Sequence, residues 1–183
     1  MDKFTLTQED AVLMLIDIQE RLVPAMLDGP KMLQNTNILI TVAQKLNIPV
    51  IVTEQYPKGL GKTVPEVSAN FDEQVAVYEK ITFNGCIEEI AAVLKQNGKK
   101  KNIVAGMETH ICVFQTVREL LAQDYQVFVV GDAVCSRTRE NYLNGLAQMQ
   151  AMGAVVTNTE TVVFDLLKRA GTPLFKEMSK LVK

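Results

Sequence analysis

The chain has 183 residues, 48% of them hydrophobic and 22% charged, with 19 basic against 21 acidic side chains and a net charge of −2. That length suits one domain spanning 1–183, able to bury roughly 70% of the surface its unfolded form exposes, so it needs no disulfide or metal staple. The balanced charge argues against a nucleic-acid binder, which usually carries a basic patch or stripe, and the polar, acidic stretch Met1 to Asp10 lacks the basic start and apolar centre of a signal peptide.

Apolar runs alternate with amphipathic stretches along the chain. Ala11–Ile16 (AVLMLI) reads as a strand buried on both faces, and it is far too short to span a bilayer. Lys31–Leu46 has helical periodicity. Pro49–Thr53 (PVIVT) is a second strand. Gln55–Phe71, with Pro57, Gly59, Gly61 and Pro65, reads as a long loop, and long loops in compact domains are often functional. Val75–Tyr78 (VAVY) is a third strand. Cys86–Gln96 places Ile87, Ile90, Ala91 and Leu94 on one helical face, and Asn97-Gly98 stops it. Lys99-Lys100-Lys101 reads as a solvated loop before a fourth strand, Asn102–Ala105 (NIVA).

A helical period follows through Val113, Phe114, Val117, Leu120 and Leu121. Gln126–Val130 (QVFVV) is a fifth strand, Arg139–Met152 a helix and Ala154–Thr157 (AVVT) a sixth strand. The tail from Glu160 reads as helical with a break at Gly171-Thr172-Pro173. Strands that alternate with helices, and that are apolar nearly throughout, predict a parallel sheet covered on both faces.

In open α/β sheets ligands bind beyond the carboxyl ends of the strands, so chemistry is expected just after Ile16, Thr53, Tyr78, Ala105 and Val130. Three residues meet that filter. Asp17 follows the first strand, where a buried carboxylate needs a partner. Lys80 ends the third. Cys112 follows the fourth near a helix start, where free N–H groups and the dipole lower a thiol pKa. A nucleophile, a carboxylate and a cation at one sheet edge make a hydrolytic site. Each residue also has a plain structural reading: a helix cap, a solvated strand end and a packed cysteine.

Cys86, Cys112 and Cys135 are odd in number and widely spaced, so they form no disulfide framework, and a reducing cytoplasmic setting is expected. Cys86 and Cys135 read as packing residues. With His110 the only histidine, the H-E-x-x-H zinc motif is impossible. Gly59-Leu60-Gly61-Lys62-Thr63 lacks the first glycine of a phosphate-binding loop, and Pro65 stands where the phosphate helix would begin.

Asp17-Ile18-Gln19, Lys80, and Gly106–Val113 with Cys112 resemble, in order and spacing, the isochorismatase-like cysteine hydrolases. Thr53-Glu54-Gln55-Tyr56-Pro57, Gly59-Leu60-Gly61 and Gly106-Met107-Glu108 look like its short branch of isochorismatase domain-containing proteins. The resemblance implies a three-layer α/β/α fold with a six-stranded parallel sheet. It implies Cys112 as nucleophile, Asp17 as general base and acid, and Lys80 as electrostatic partner. It also implies a cis peptide between Met107 and Glu108, with the backbone N–H groups of Glu108 and Cys112 as an oxyanion hole. Gln19, Tyr56, Phe83 and His110 are expected to line the pocket. The nicotinamidase branch holds a metal after the second strand. Here that region reads Glu54-Gln55-Tyr56 with no histidine, so no metal or cofactor is expected.

The expected activity is hydrolysis of an amide or related C–N bond in a small molecule, through a thioester. The alternative is a catalytically weak binding or scaffold protein of the same fold. Assembly as a homo-oligomer is expected, with no nucleic-acid or membrane partner.

Overall fold

The computed structural model describes residues 2–182; Met1 and Lys183, the two ends of the expected 1–183 unit, lie outside the described residues. Strand β1 (Ala11–Ile16) leads through helix α1 (Gly29–Lys45) to β2 (Val50–Gln55). Two short helices, α2 (Pro57–Leu60) and α3 (Pro65–Ser68), precede β3 (Ala76–Lys80). Then come α4 (Glu88–Asn97), β4 (Lys101–Met107), α5 (Phe114–Ala122) and β5 (Gln126–Cys135). The chain ends on α6 (Arg139–Ala151), β6 (Val155–Thr157), α7 (Thr159–Leu167) and α8 (Pro173–Met178).

The six strands form one all-parallel sheet in the order β3-β2-β1-β4-β5-β6. Its two faces are covered by separate apolar clusters. Leu13 and Leu15 of β1 pack with Met32 and Leu39 of α1 and Val162 and Val163 of α7. Val12, Met14 and Ile16, pointing the other way, pack with Ile90 and Leu94 of α4 and Val117 and Leu120 of α5. Strand side chains alternate between faces, so a strand apolar at every position must be covered on both. The result is the three-layer α/β/α sandwich that the sequence led us to expect.

Some boundaries differ from the sequence reading. The stretch 55–71 is partly ordered, because Gln55 extends β2 and Pro57 and Pro65 each open a short helix at the position where a missing N–H is harmless. Cys86 lies ahead of α4, buried all the same. Strand β5 runs on to Cys135 past Gly131-Asp132, with its register on β4 jumping between Val104 and Gly106. Lys101 is the first residue of β4 and only 2% exposed, not part of a solvated loop. Its stem is covered and its ammonium lies 3.9 Å from Asp10 Oδ2.

From β1 the chain builds outward to β2 and β3, then returns to place β4 on the other side of β1. That reversal makes the β1–β4 boundary the switch point where open α/β sheets form clefts. The two strands approach closely there. Gly106 pairs with Ile16 at φ +122°, and a Cβ on it would lie 2.1 Å from the Ile16 carbonyl oxygen, so only glycine fits. Among the described residues no helix is long and apolar enough to cross a membrane.

Candidate active site

Asp17 leaves β1 in the left-handed region, at φ +52°, which turns its side chain back across the strand ends. The carboxylate is fully buried and fully engaged. Oδ1 accepts from Thr53 Oγ1 at 2.7 Å, and Oδ2 accepts from Lys80 Nζ at 2.6 Å. Lys80, at the end of β3, crosses beneath β2 to reach it. Its ammonium also donates to Gln55 Oε1 at 2.8 Å and to the carbonyls of Thr82 and Phe83 at 3.1 and 3.3 Å. An ammonium taken out of water is costly unless every N–H finds an acceptor, and here four acceptors surround three hydrogens.

Cys112 follows β4. The Met107–Glu108 peptide is cis. A single π-helical turn, Thr109–Val113, then carries the cysteine into α5. Cys112 is buried, with 6% of the residue exposed. Burial, and then the neighbouring Asp17 charge, push it up to about 12; Lys80 acts in the opposite sense without prevailing. The helix start therefore does not hold this thiol low, as its position in the sequence suggested. Desolvation, which disfavours the charged sulfur, is the largest cause.

Thr116, one turn into α5, ties the cysteine turn to the loop after Lys80. Its hydroxyl donates to the Cys112 carbonyl at 2.7 Å and accepts from the Gly85 N–H at 2.7 Å. Asp17, Lys80 and Cys112, from three separate strand ends, thus converge at the switch point.

The other expected residues are arranged around this centre. Gln19 is buried, but its amide is committed: Nε2 donates to the carbonyls of Gln55 and Gly61, and Oε1 accepts from the Gln55 N–H. It braces the end of β2 and offers a ligand no N–H. Tyr56 and Phe83 are more than half exposed, and each is tied by its backbone to Lys80: the Tyr56 N–H donates to the Lys80 carbonyl, and the Phe83 carbonyl accepts from Nζ. His110 is half-buried, with Nδ1 3.0 Å from Ser136 Oγ. Glu108 contributes more than its backbone. Its carboxylate accepts from the Arg137 backbone N–H and from Arg137 Nε at 3.2 and 3.0 Å.

Sequence reasoning missed Thr53, Gln55, Thr116 and Arg137. The strand-end filter pointed at the first two, since both lie at the end of β2, but nothing local marked them as partners of Asp17 and Lys80. Among the described residues no group of three or more His, Cys, Asp or Glu side chains is placed to hold a metal. The buried Glu54 carboxylate at the end of β2 meets Thr63 and, at 3.2 Å, the Lys62 ammonium. A cavity of about 280 Å³ opens one strand over, lined by Asp28, Lys31, Asp132, Ser136 and Arg139; Asp17, Lys80 and Cys112 are not in its wall.

The model of the isochorismatase domain matches residues 11–161. A secreted isochorismatase effector of Phytophthora sojae, Isc1, is 38% identical over 182 residues, covering 97% of this chain and 87% of that protein. Among solved structures, a MAR1 ribonuclease from Caenorhabditis elegans superposes with a TM-score of 0.93 at 35% identity, covering 97% of this chain and 92% of that one. The YcaC gene product of Escherichia coli, described as an octameric hydrolase of unknown specificity, superposes with a TM-score of 0.85 at 27% identity, covering 91% and 83%.

Proposed function

The chain belongs to the isochorismatase family, and from that premise we propose that it is a cysteine hydrolase of small molecules acting on an amide or related C–N bond. One observation carries the reading: a fully buried carboxylate, paired at 2.6 Å with a buried ammonium, lies against a nucleophile at the sheet's switch point. Polar groups this deeply buried and this fully paired are characteristic of functional sites.

Burial and the Asp17 charge favour the protonated thiol, so the proton has to be taken as the sulfur attacks. Asp17 takes the proton as Cys112 Sγ bonds to the carbonyl carbon, and the backbone N–H groups of Glu108 and Cys112 receive the oxygen. Asp17 gives that proton to the departing amine as the C–N bond breaks, leaving a thioester. Water then attacks the thioester. Asp17 accepts a proton from the water and returns it to the sulfur as the acid leaves. Lys80 holds the Asp17 carboxylate in place. Tyr56, Phe83 and His110 form the rim, and no cofactor takes part.

The YcaC relative's octamer supports a homo-oligomer here as well. Tyr56, Val77, Ile81 and Phe83 expose apolar surface around the outer strand β3, as an interface between copies would. The ribonuclease relative does not carry RNA over to this chain, whose net charge of −2 does not favour binding a polyanion.

The test is Cys112→Ala against a panel of small amides, with circular dichroism to check the fold. Turnover is expected to vanish with the fold intact, and the wild type is expected to show a mass adduct equal to the acyl group. Equal turnover in the variant would overturn the mechanism and bring the binding or scaffold role forward.

A further inference from the structure

The cavity at the carboxyl end of β5 has no part in the mechanism above. It holds about 280 Å³, near the lower end for small-molecule sites, and none of Asp17, Lys80, Glu108 or Cys112 is in its wall. Met32 and Val134, both buried, give it an apolar floor, and the half-exposed Leu143 stands at its mouth.

Its charged lining is balanced and unpaired. Lys31 and Arg139 stand with Asp28 and Asp132, and among the described residues no ion pair joins any of the four. The two carboxylates act on the interior. After burial, the charges of Asp132 and Asp28 push up the phenol of Tyr142 in the cavity wall. Asp28 makes no capping bond to α1, and Asp132 engages Thr159 through Oδ1 alone. Two helices also begin here: α1 has Lys31 in its first turn, and α6 has Arg139 as its first residue. Their positive dipole ends act with the two cations in favour of an anion. A carboxylate and an ammonium on one small molecule would each find opposite charge, with its hydrocarbon part on Met32, Val134 and Leu143.

The cavity wall also touches the turn that carries the cysteine. Ser136 Oγ lies 3.0 Å from Nδ1 of His110, which precedes Cys112 by two residues. Helix α6 rests directly on the same turn: a Cβ on Gly145 would lie 3.0 Å from the Thr109 carbonyl oxygen and 3.1 Å from the His110 nitrogen. We propose that this cavity is an effector site for a small apolar α-amino acid, whose binding between α1 and α6 steadies the turn that carries Cys112. The site goes beyond the hydrolase reading and does not depend on it.

L-Leucine is the probe, beside two relatives that each lack one charge: 4-methylpentanoate without the ammonium, and 3-methylbutylamine without the carboxylate. Calorimetry on the intact protein is expected to show leucine binding about tenfold tighter than either, the effect of one charge-assisted contact. Arg139→Ala should weaken leucine and 4-methylpentanoate but not the amine. Asp28→Asn, which suits the left-handed backbone at φ +58°, should weaken leucine and the amine but not the acid. Both side chains are exposed, so neither change threatens the fold. Amide hydrogen exchange across Thr109–Val113, read by mass spectrometry, is expected to slow about fivefold at saturating leucine, the lower end of usual couplings between sites. Leu143→Trp, which fills the mouth, should abolish both binding and slowing. No leucine binding at millimolar concentration, or equal binding in all three variants, would overturn the site. Binding that leaves exchange at the turn unchanged would overturn the effector role. Absence of binding together with an assembly that Leu143→Glu breaks apart would show that a second copy fills the cavity instead.

Discussion

Lys80, at the carboxyl end of β3, and Lys101, at the amino end of β4, are both almost wholly buried, at 3% and 2% exposed, yet their partners differ. Lys80 meets a carboxylate that is itself 0% exposed, at 2.6 Å, with every other N–H engaged. Lys101 lies 3.9 Å from Asp10, whose side chain is 34% exposed and keeps contact with water. The difference lies in what remains when the lysine is removed. A buried charge deprived of its partner cannot recover solvation, whereas a half-solvated one can. One sheet end thus holds a closed polar network suited to chemistry, and the other an ion pair that anchors the start of a strand.

The most severe way to probe that contrast is Lys80→Met. It leaves the Asp17 carboxylate buried without its cation, beside Thr53 and the Cys112 thiol, and is expected to cost about 3–5 kcal/mol of stability, together with activity. Urea denaturation reads the loss. The double variant Asp17→Asn with Lys80→Met should recover a large part of it, because the stranded charge is gone. A double variant no more stable than Lys80→Met alone would show that the lysine acts through packing rather than through the carboxylate.

A smaller effect follows from two thiols at the same end of the sheet. Burial pushes both Cys112 and Cys135 up to about 12 from an ordinary 9.0. Raised folded-state values mean that the unfolded chain loses its thiol protons first as pH rises. Stability is therefore complete below about pH 9 and falls between pH 9 and 12, by up to about 1.4 kcal/mol per pH unit for each thiol. Urea midpoints taken across that range should fall less steeply in Cys135→Ala than in the wild type, whatever the substitution costs at neutral pH. Parallel slopes would mean that Cys135 is hydrated at high pH.

The contrast between the lysines also marks how far the sequence could be read. Apolar runs located all six strands, and the rule that clefts form at carboxyl ends then singled out Asp17, Lys80 and Cys112, because each stands within a few residues of such an end. What escaped depended on partners distant in sequence. Lys101 looked solvated because it closes a run of three lysines, and only the fold covers its stem. The Arg137 link to Glu108 spans 29 residues, and the Thr53 and Gln55 contacts cross between strands, so no local pattern encodes them. The direction of the Cys112 shift was misread for a related reason. A helix start is visible in sequence, but the depth at which the fold buries it is not.

Lys101→Met gives the smallest expected effect and the sharpest check on the comparison. Methionine keeps most of the apolar stem that β4 packs around, while the Asp10 carboxylate left behind stays open to water. The stability change is expected within about 1 kcal/mol in urea, with Cys112 labelling by iodoacetamide unaltered, since the site lies at the opposite end of the strand. A cost equal to that of Lys80→Met would mean that this end, too, holds a closed polar network. Burial of the lysine alone, rather than solvation of its partner, would then decide how much an ion pair matters in this sheet.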